Sequence, residues 1–211
     1  MKKFLLKFIT VVFIVPPFLS AQEISKPFDW RFIPQENIGP ISPGTTASEL
    51  KMIFGEQNVV SDRIYIGEGF TEPGSVIFPN DEQKTLRILW KDSINQKYPQ
   101  EVRISGSKTL WRTYKDITLG TSLKELELLN GKPFVLAGFA WDYEGAVISW
   151  KKGKLADRLS EIRLYLIPDI DVRTIYEKEY DSVMGDRDFQ SSNKAMQKLN
   201  PKVCLIIFSF R

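Results

Sequence analysis

Histidine is absent from all 211 residues, and a single cysteine, Cys204, stands near the C-terminal end. Without histidine there is no Ser-His or Cys-His nucleophile pair, and the commonest general base and the usual zinc ligand are both missing. One cysteine cannot form an internal disulfide. Set in the apolar run Val203-Cys-Leu-Ile-Ile-Phe208, it reads as a buried, inert thiol. There is no Gly-x-x-x-x-Gly-Lys phosphate cradle; Gly67-x-Gly69 lacks a third glycine and reads as hairpin chemistry. The acidic stretch Asp181 to Asp186-Arg-Asp188 lacks the ordered ligand spacing of a calcium loop and reads as a solvated loop. No cofactor and no bound metal are expected.

What is present begins with an address. Residues 1–21 give a basic start (Lys2, Lys3, Lys7), an apolar run from Phe8 to Val15 and the small-residue ending Ser20-Ala21, the pattern of a bacterial secretory signal cleaved after Ala21. The apolar run is shorter than the roughly 20 residues that span a bilayer, so an uncleaved anchor is the weaker alternative and no integral membrane span is expected once the signal is removed. Taking Lys2, Lys3 and Lys7 from 29 basic residues leaves 26 against 26 acidic ones. A neutral mature chain has no electrostatic claim on nucleic acid. The expected location is extracytoplasmic, periplasmic or secreted, and the expected state is a monomer.

Two stretches 76 positions apart organise the rest. Ile41-Ser-Pro-Gly-Thr-Thr-Ala-Ser-Glu-Leu50 returns as Ile117-Thr-Leu-Gly-Thr-Ser-Leu-Lys-Glu-Leu126, and over residues 41–69 and 117–145 nine of 29 positions are identical without a gap. Unrelated chains of ordinary composition would match at roughly two. Thr46 and Ser122 are predicted N-caps, with Glu49 and Glu125 three residues on completing capping boxes. Ala47, Leu50, Ile53 and Phe54, like Leu123, Leu126 and Leu129, form one-sided apolar stripes, and Gly55 and Gly131 close the helices. Lys51 and Glu127 fall outside those stripes, so alanine at either is read as near-neutral.

Taken in order, residues 22–40 read as an irregular lead-in lying along the surface through Phe28, Trp30 and Phe32. A first repeat spans 41–113: its helix is followed by strands at 59–68, 75–78, 85–91 and 101–105, with turns at Pro73-Gly74 and Pro79-Asn-Asp81. A second repeat spans 114–211, with strands at 134–143, 146–151 and 159–167, inserted helices at about 172–199 and a last strand at 202–210. Leu86, Ile88 and Trp90 correspond to Ile162, Leu164 and Leu166 as one alternating apolar face, and Arg87 to Arg163 on the other. The fold class expected is α+β: an antiparallel sheet of roughly eight strands with helices packed on one side.

The pattern Ile-x-x-Gly-x-Thr/Ser-x-x-Glu-Leu, closed by a glycine and followed by a meander, resembles the repeat of the BamE/SmpA-like small envelope lipoproteins. Doubled, it resembles the beta-lactamase-inhibitor-protein-like tandem modules. The resemblance covers roughly residues 41–167. It implies extracytoplasmic, non-enzymatic work on an envelope protein partner. The lipid-attachment cysteine of the lipoprotein branch and the cysteine pairs of the secreted inhibitors are both missing from this chain.

For chemistry a carboxylate-only mechanism survives, and its candidate pair is Asp142 and Glu144 on Phe139-Ala-Trp-Asp-Tyr-Glu144, where a strand would put both on one face about 7 Å apart. The same alternation sends Phe139, Trp141 and Tyr143 into the core in line with Ile148 and Trp150. The carboxylates are then solvated strand residues, part of a partner-binding patch, or, as the alternative activity, a glycan-binding or weakly hydrolytic site. The patch would be Asp142, Glu144, Ser149, Arg163 and Tyr165, since tyrosine and arginine offer large contact area with directional hydrogen bonds. A second candidate surface is the loop Lys108 to Tyr114, unless Trp111 plugs the seam between two cores.

Overall fold

The computed structural model describes residues 28–33, 36–113, 115–157, 159 and 161–210; the expected signal at 1–21, its cleavage point and Tyr114 lie outside them. In chain order the elements are β1 (Arg31–Ile33), β2 (Asn37–Ile38), α1 (Ala47–Phe54), β3 (Val59–Gly67), β4 (Phe70–Ile77), β5 (Leu86–Asp92), β6 (Lys97–Ser105) and β7 (Arg112–Thr113). Then follow α2 (Leu123–Asn130), β8 (Val135–Ala137), β9 (Val147–Ser149), β10 (Ile162–Ile167), α3 (Ile170–Ile175), α4 (Glu177–Ser182), β11 (Asp188–Gln190), α5 (Lys194–Leu199) and β12 (Lys202–Ser209). The class is α+β, with the strands in three sheets ordered β2-β1-β7, β10-β12-β6-β5-β4-β3 and β11-β8-β9.

The two capped helices form as their sequences dictate. Thr46 Oγ1 accepts from Glu49 N at 3.2 Å while Glu49 Oε2 accepts from Thr46 N at 2.8 Å, and Ser122 with Glu125 repeats the pair at 3.3 and 2.7 Å. The Ser122 hydroxyl and then its amide hold the Glu125 carboxyl below the usual carboxylate range. Each helix start is also tied to the start of a later strand. Ala47 N donates to Gln96 O at 2.9 Å and Tyr98 N to Thr45 O at 3.1 Å; correspondingly Leu123 N donates to Pro201 O at 2.8 Å and Val203 N to Thr121 O at 2.9 Å. Leu50 and Leu126 are fully buried in one core with Ile88 and Leu164. The stripes are narrower than expected: Ile53 is exposed, while Phe54 beside it packs against Phe28 and Phe78. Gly131 ends α2 in the left-handed conformation, whereas Gly55, at φ 93 and ψ 143, leads into a 3-10 turn at Glu56–Asn58.

The main sheet has six strands rather than eight. Its helix-facing side carries Leu86, Ile88 and Trp90 of β5, Val102 and Ile104 of β6, Ile206 and Phe208 of β12, and Ile162, Leu164 and Leu166 of β10, all buried. Two prolines sit inside strands, one of them, Pro73, where a turn was expected. Pro73 pairs with Arg63 in β4, and β5 pairing begins only at Gly74, so the missing amide of Pro73 falls where β4 has a partner on one side alone. Gly74 is needed for close packing: a Cβ there would stand 2.4 Å from Ile88 O and 2.6 Å from an Ile64 side-chain carbon. Pro99 pairs with Trp90 at a register shift. The remaining strands of the second half, β8 and β9, leave the main sheet and join β11; one bridge, Ala146 to Tyr165, links β9 to the edge of β10. β11 begins at Asp188, the last residue of the acidic stretch, and its pairing with β8 covers an otherwise open edge.

Where the lead-in is described, at 28–33 and 36–40, it forms two short strands and adds to the core. β1 pairs in parallel with β7 through Arg31–Arg112 and Phe32–Thr113, and Phe32 is wholly buried against Trp111 and Phe208. The inserted helix expected over 172–185 is two short helices divided at Tyr176, with Val183 buried and Ile175 exposed. α5 starts at the Asn193 side chain, which accepts from Ala195 N and Met196 N, and stops at left-handed Asn200 before Pro201. No helix among the described residues is long and apolar enough to cross a membrane.

Glu127 corrects the expectation of a neutral surface position. Its Oε2 accepts from the buried Ser191 hydroxyl at 2.5 Å and from Gln197 Nε2 at 3.2 Å, and Ser191 Oγ in turn accepts from Phe134 N at 2.9 Å. Glu127→Ala would strip the charged acceptor from a buried hydroxyl and is expected to cost about 1–3 kcal/mol. Lys51→Ala, which loses one exposed ion pair with Glu56, should stay within about 0.5 kcal/mol. Urea denaturation of the two variants side by side checks the difference.

Candidate functional site

The face of the main sheet turned away from the helices is built by the other half of each strand's alternation. Arg163 and Tyr165 of β10 lie beside Ile207 and Leu205 of β12, and these beside Arg103 and Ser105 of β6. On the far strands a small apolar cluster, Ile64, Val76 and Leu89, covers the same face. At its mouth the β3–β4 hairpin turns through Glu68 and Gly69, both at positive φ (52° and 79°), as a tight two-residue hairpin turn requires. That tip reaches the turn at 142–145: the Tyr143 hydroxyl donates to Glu68 Oε1 at 3.2 Å. Between tip, turn and sheet lies an open cavity of about 460 Å³.

Four of the five residues singled out in the sequence, Asp142, Glu144, Arg163 and Tyr165, line this cavity. Ser149 does not: it lies on β9, half-buried, with its hydroxyl accepting from Lys151 N at 3.2 Å. The way the carboxylates arrive also differs. Residues 140–145 are turn and bend, not strand; the β8–β9 hairpin closes where Gly145 N donates to Gly138 O, and Ala140 sits at φ 61. The run Ala-Trp-Asp-Tyr-Glu has no β-branched residue to hold it extended. Phe139 instead leaves the sheet, buried and stacked on Tyr180 at 5.7 Å, and Glu144 Oε2 accepts from Ala140 N at 3.0 Å, fixing the turn. Trp141 is half-buried with its indole N–H on Gly138 O, while Tyr143 and Ile148, expected in the core, are exposed. Asp142 and Glu144 are therefore not the facing pair of one strand.

The charges of the floor are largely spoken for. Glu101 accepts from Arg103 Nε at 3.2 Å and from Arg163 Nη2, and Arg103 Nη1 also donates to Tyr65 O at 2.8 Å. Glu68 charge, then the hydrogen bond to it, raises the Tyr143 hydroxyl above its ordinary value. Cys204, half-buried on the same floor, has its thiol pushed up to about 11, first by burial and then by Glu144. It is a poor nucleophile at neutral pH. Trp111, at the centre of the other candidate surface, is completely buried, its indole N–H on Lys84 O at 2.8 Å. It is an anchor, not a contact surface.

No family model, curated protein or solved structure matches the chain.

Reading strand by strand misses the wall formed by Tyr65, Glu68 and Phe70 and the Glu101–Arg103 pair beneath it. A signal for the wall is nonetheless in the sequence: Glu68-Gly69 and Glu144-Gly145 are identical residues 76 apart, and both glutamates line the cavity.

Proposed function

We propose that this chain is a non-catalytic protein-binding module of the bacterial envelope, exported by its leader, assembled from two copies of one helix-and-meander unit and related to the BamE/SmpA-like modules. The partner is gripped on the sheet face that the helices leave open. The observation that supports this reading is the convergence of Arg163, Tyr165, Asp142 and Glu144 on one open cavity with Tyr65 and Phe70. Exposed aromatic rings and arginine are what protein interfaces are enriched in. The duplication has its own support in the helix-start hydrogen bonds that recur 76 positions apart, Ser42 N to Thr45 Oγ1 at 2.9 Å and Thr118 N to Thr121 Oγ1 at 3.0 Å among them.

The test is site-directed photo-crosslinking in the native envelope fraction, with the crosslinker at position 142 on the cavity or at position 52 on the opposite face. A discrete protein adduct is expected from 142 and none from 52. Arg163→Ala and Tyr165→Ala should each weaken capture of that protein by about 1–3 kcal/mol. Adducts from 52 alone would move the working surface to the helices, and displacement of the adduct by cell-wall glycan fragments would favour a sugar-binding role.

A further inference from the structure

Resting on that reading, we infer that the cavity takes a cationic side chain, lysine or arginine, presented by the partner polypeptide. The two arginines in the wall do not oppose this, because both are engaged by Glu101 and Arg103 is further held by the Tyr65 carbonyl. Among the residues that line the cavity, Arg103 and Arg163 stand against Glu68, Asp142 and Glu144, a net charge of −1, while Glu101, which does not line it, accepts from both arginines. Acids alone on a rim would be ordinary solvated residues. Here they ring a floor of Leu205, Ile207 and Cys204, with Tyr65, Phe70 and Tyr143 standing beside them. That combination suits a group with an apolar stem and a charged end: the methylenes lie along rings and aliphatic floor, and the cation meets carboxylates and ring faces. The same carboxylates act on two groups in the cavity. The Tyr143 hydroxyl is raised by Glu68 and Asp142, and the Cys204 thiol is raised in part by Glu144. An anionic or neutral ligand would gain nothing from that field.

The experiment uses the full mature chain and fluorescein-labelled penta-lysine, read by anisotropy at low ionic strength, with labelled penta-glutamate and a cell-wall oligosaccharide as the other arms. Saturable penta-lysine binding is expected. Asp142→Asn and Tyr65→Ala, both at exposed positions, should each weaken it about threefold or more. Asp186→Asn, which removes the same charge from an exposed bend outside the cavity, should leave it unchanged. Equal binding by all variants would mean diffuse attraction to the whole surface and would overturn the inference, as would preference for penta-glutamate or for the oligosaccharide, or no binding. Crosslinking at position 142 without penta-lysine binding would leave the protein-binding role standing and remove the cationic anchor. Penta-lysine binding that depends on Asp142 and Tyr65, with no protein crosslinked, would do the opposite.

Discussion

Trp111→Ala is expected to cost about 3–5 kcal/mol. The indole is completely buried and is the meeting point of three rings that arrive from the lead-in: Phe28 edge-on at 5.9 Å, Trp30 edge-on at 4.8 Å and Phe32 nearly parallel at 6.3 Å. Its N–H is satisfied by Lys84 O, so the variant also leaves a buried carbonyl with one partner fewer. Next to it in sequence, β7 supplies the parallel pairing that holds β1. The variant should therefore free residues 28–33 before the main sheet melts. Urea denaturation gives the total, and limited trypsin digestion at Arg31 shows the local release. Trp111→Phe keeps most of the apolar contact and loses the Lys84 bond, so it should fall about 1–3 kcal/mol below the native chain. A loss under about 1 kcal/mol for the alanine variant would mean that the lead-in rings repack without it.

What the sequence makes legible is whatever depends on neighbours a few residues away. Both capping boxes, the αL glycine after α2, the alternation of Leu86, Ile88 and Trp90 and that of Ile162, Leu164 and Leu166 are all present as expected. The failures share a cause: a partner distant in sequence overrides a local signal. Pro73-Gly74 looks like a turn, yet Pro73 sits within β4 where that strand lacks a second neighbour. Phe189 and Gln190 carry no strand signal of their own, yet they pair with Leu136 and Val135 of β8. Phe28 to Phe32 look like surface decoration until Trp111 supplies a core for them. The candidate site shows both sides. Arg163 and Tyr165 follow from period two within one strand. Asp142 and Glu144 reach the cavity from a turn rather than from the strand that the alternation predicts, and the hairpin tip beside them is legible only in the identity of Glu68-Gly69 with Glu144-Gly145.

Gly145→Ala should be nearly as damaging as the loss of Trp111, and for a reason that no contact area records. Gly145 is at φ 65, and a Cβ built there would lie 1.7 Å from Leu166 O and 2.8 Å from Leu166 C. Both obstacles are backbone, so no rotamer change relieves them. The left-handed conformation alone costs a non-glycine residue about 1–2 kcal/mol, and displacing packed backbone adds about 1–3. What must shift is the join between the hairpin and the main sheet: Leu166 N donates to Gly145 O at 3.0 Å, and Ala146 bridges Tyr165. Opening it carries Glu144 and Tyr143 away from the cavity. Gly120→Ala is the control, because Gly120 shares the positive φ, at +87, with nothing within 4 Å of its Cβ position. It should lose only the conformational part, about 1–2 kcal/mol. A thiol probe separates the two cases further. Burial and the Glu144 charge hold the Cys204 thiol up near 11; with the turn displaced both causes weaken, its pKa falls, and the thiolate fraction at mildly alkaline pH rises about tenfold for each unit. Disulfide-exchange labelling of Cys204 in the folded protein should accordingly be faster in Gly145→Ala than in the native chain or in Gly120→Ala. If the two alanine variants prove equally stable and equally slow to label, the 142–145 turn is not held against β10 at Gly145, and the cavity wall has another support.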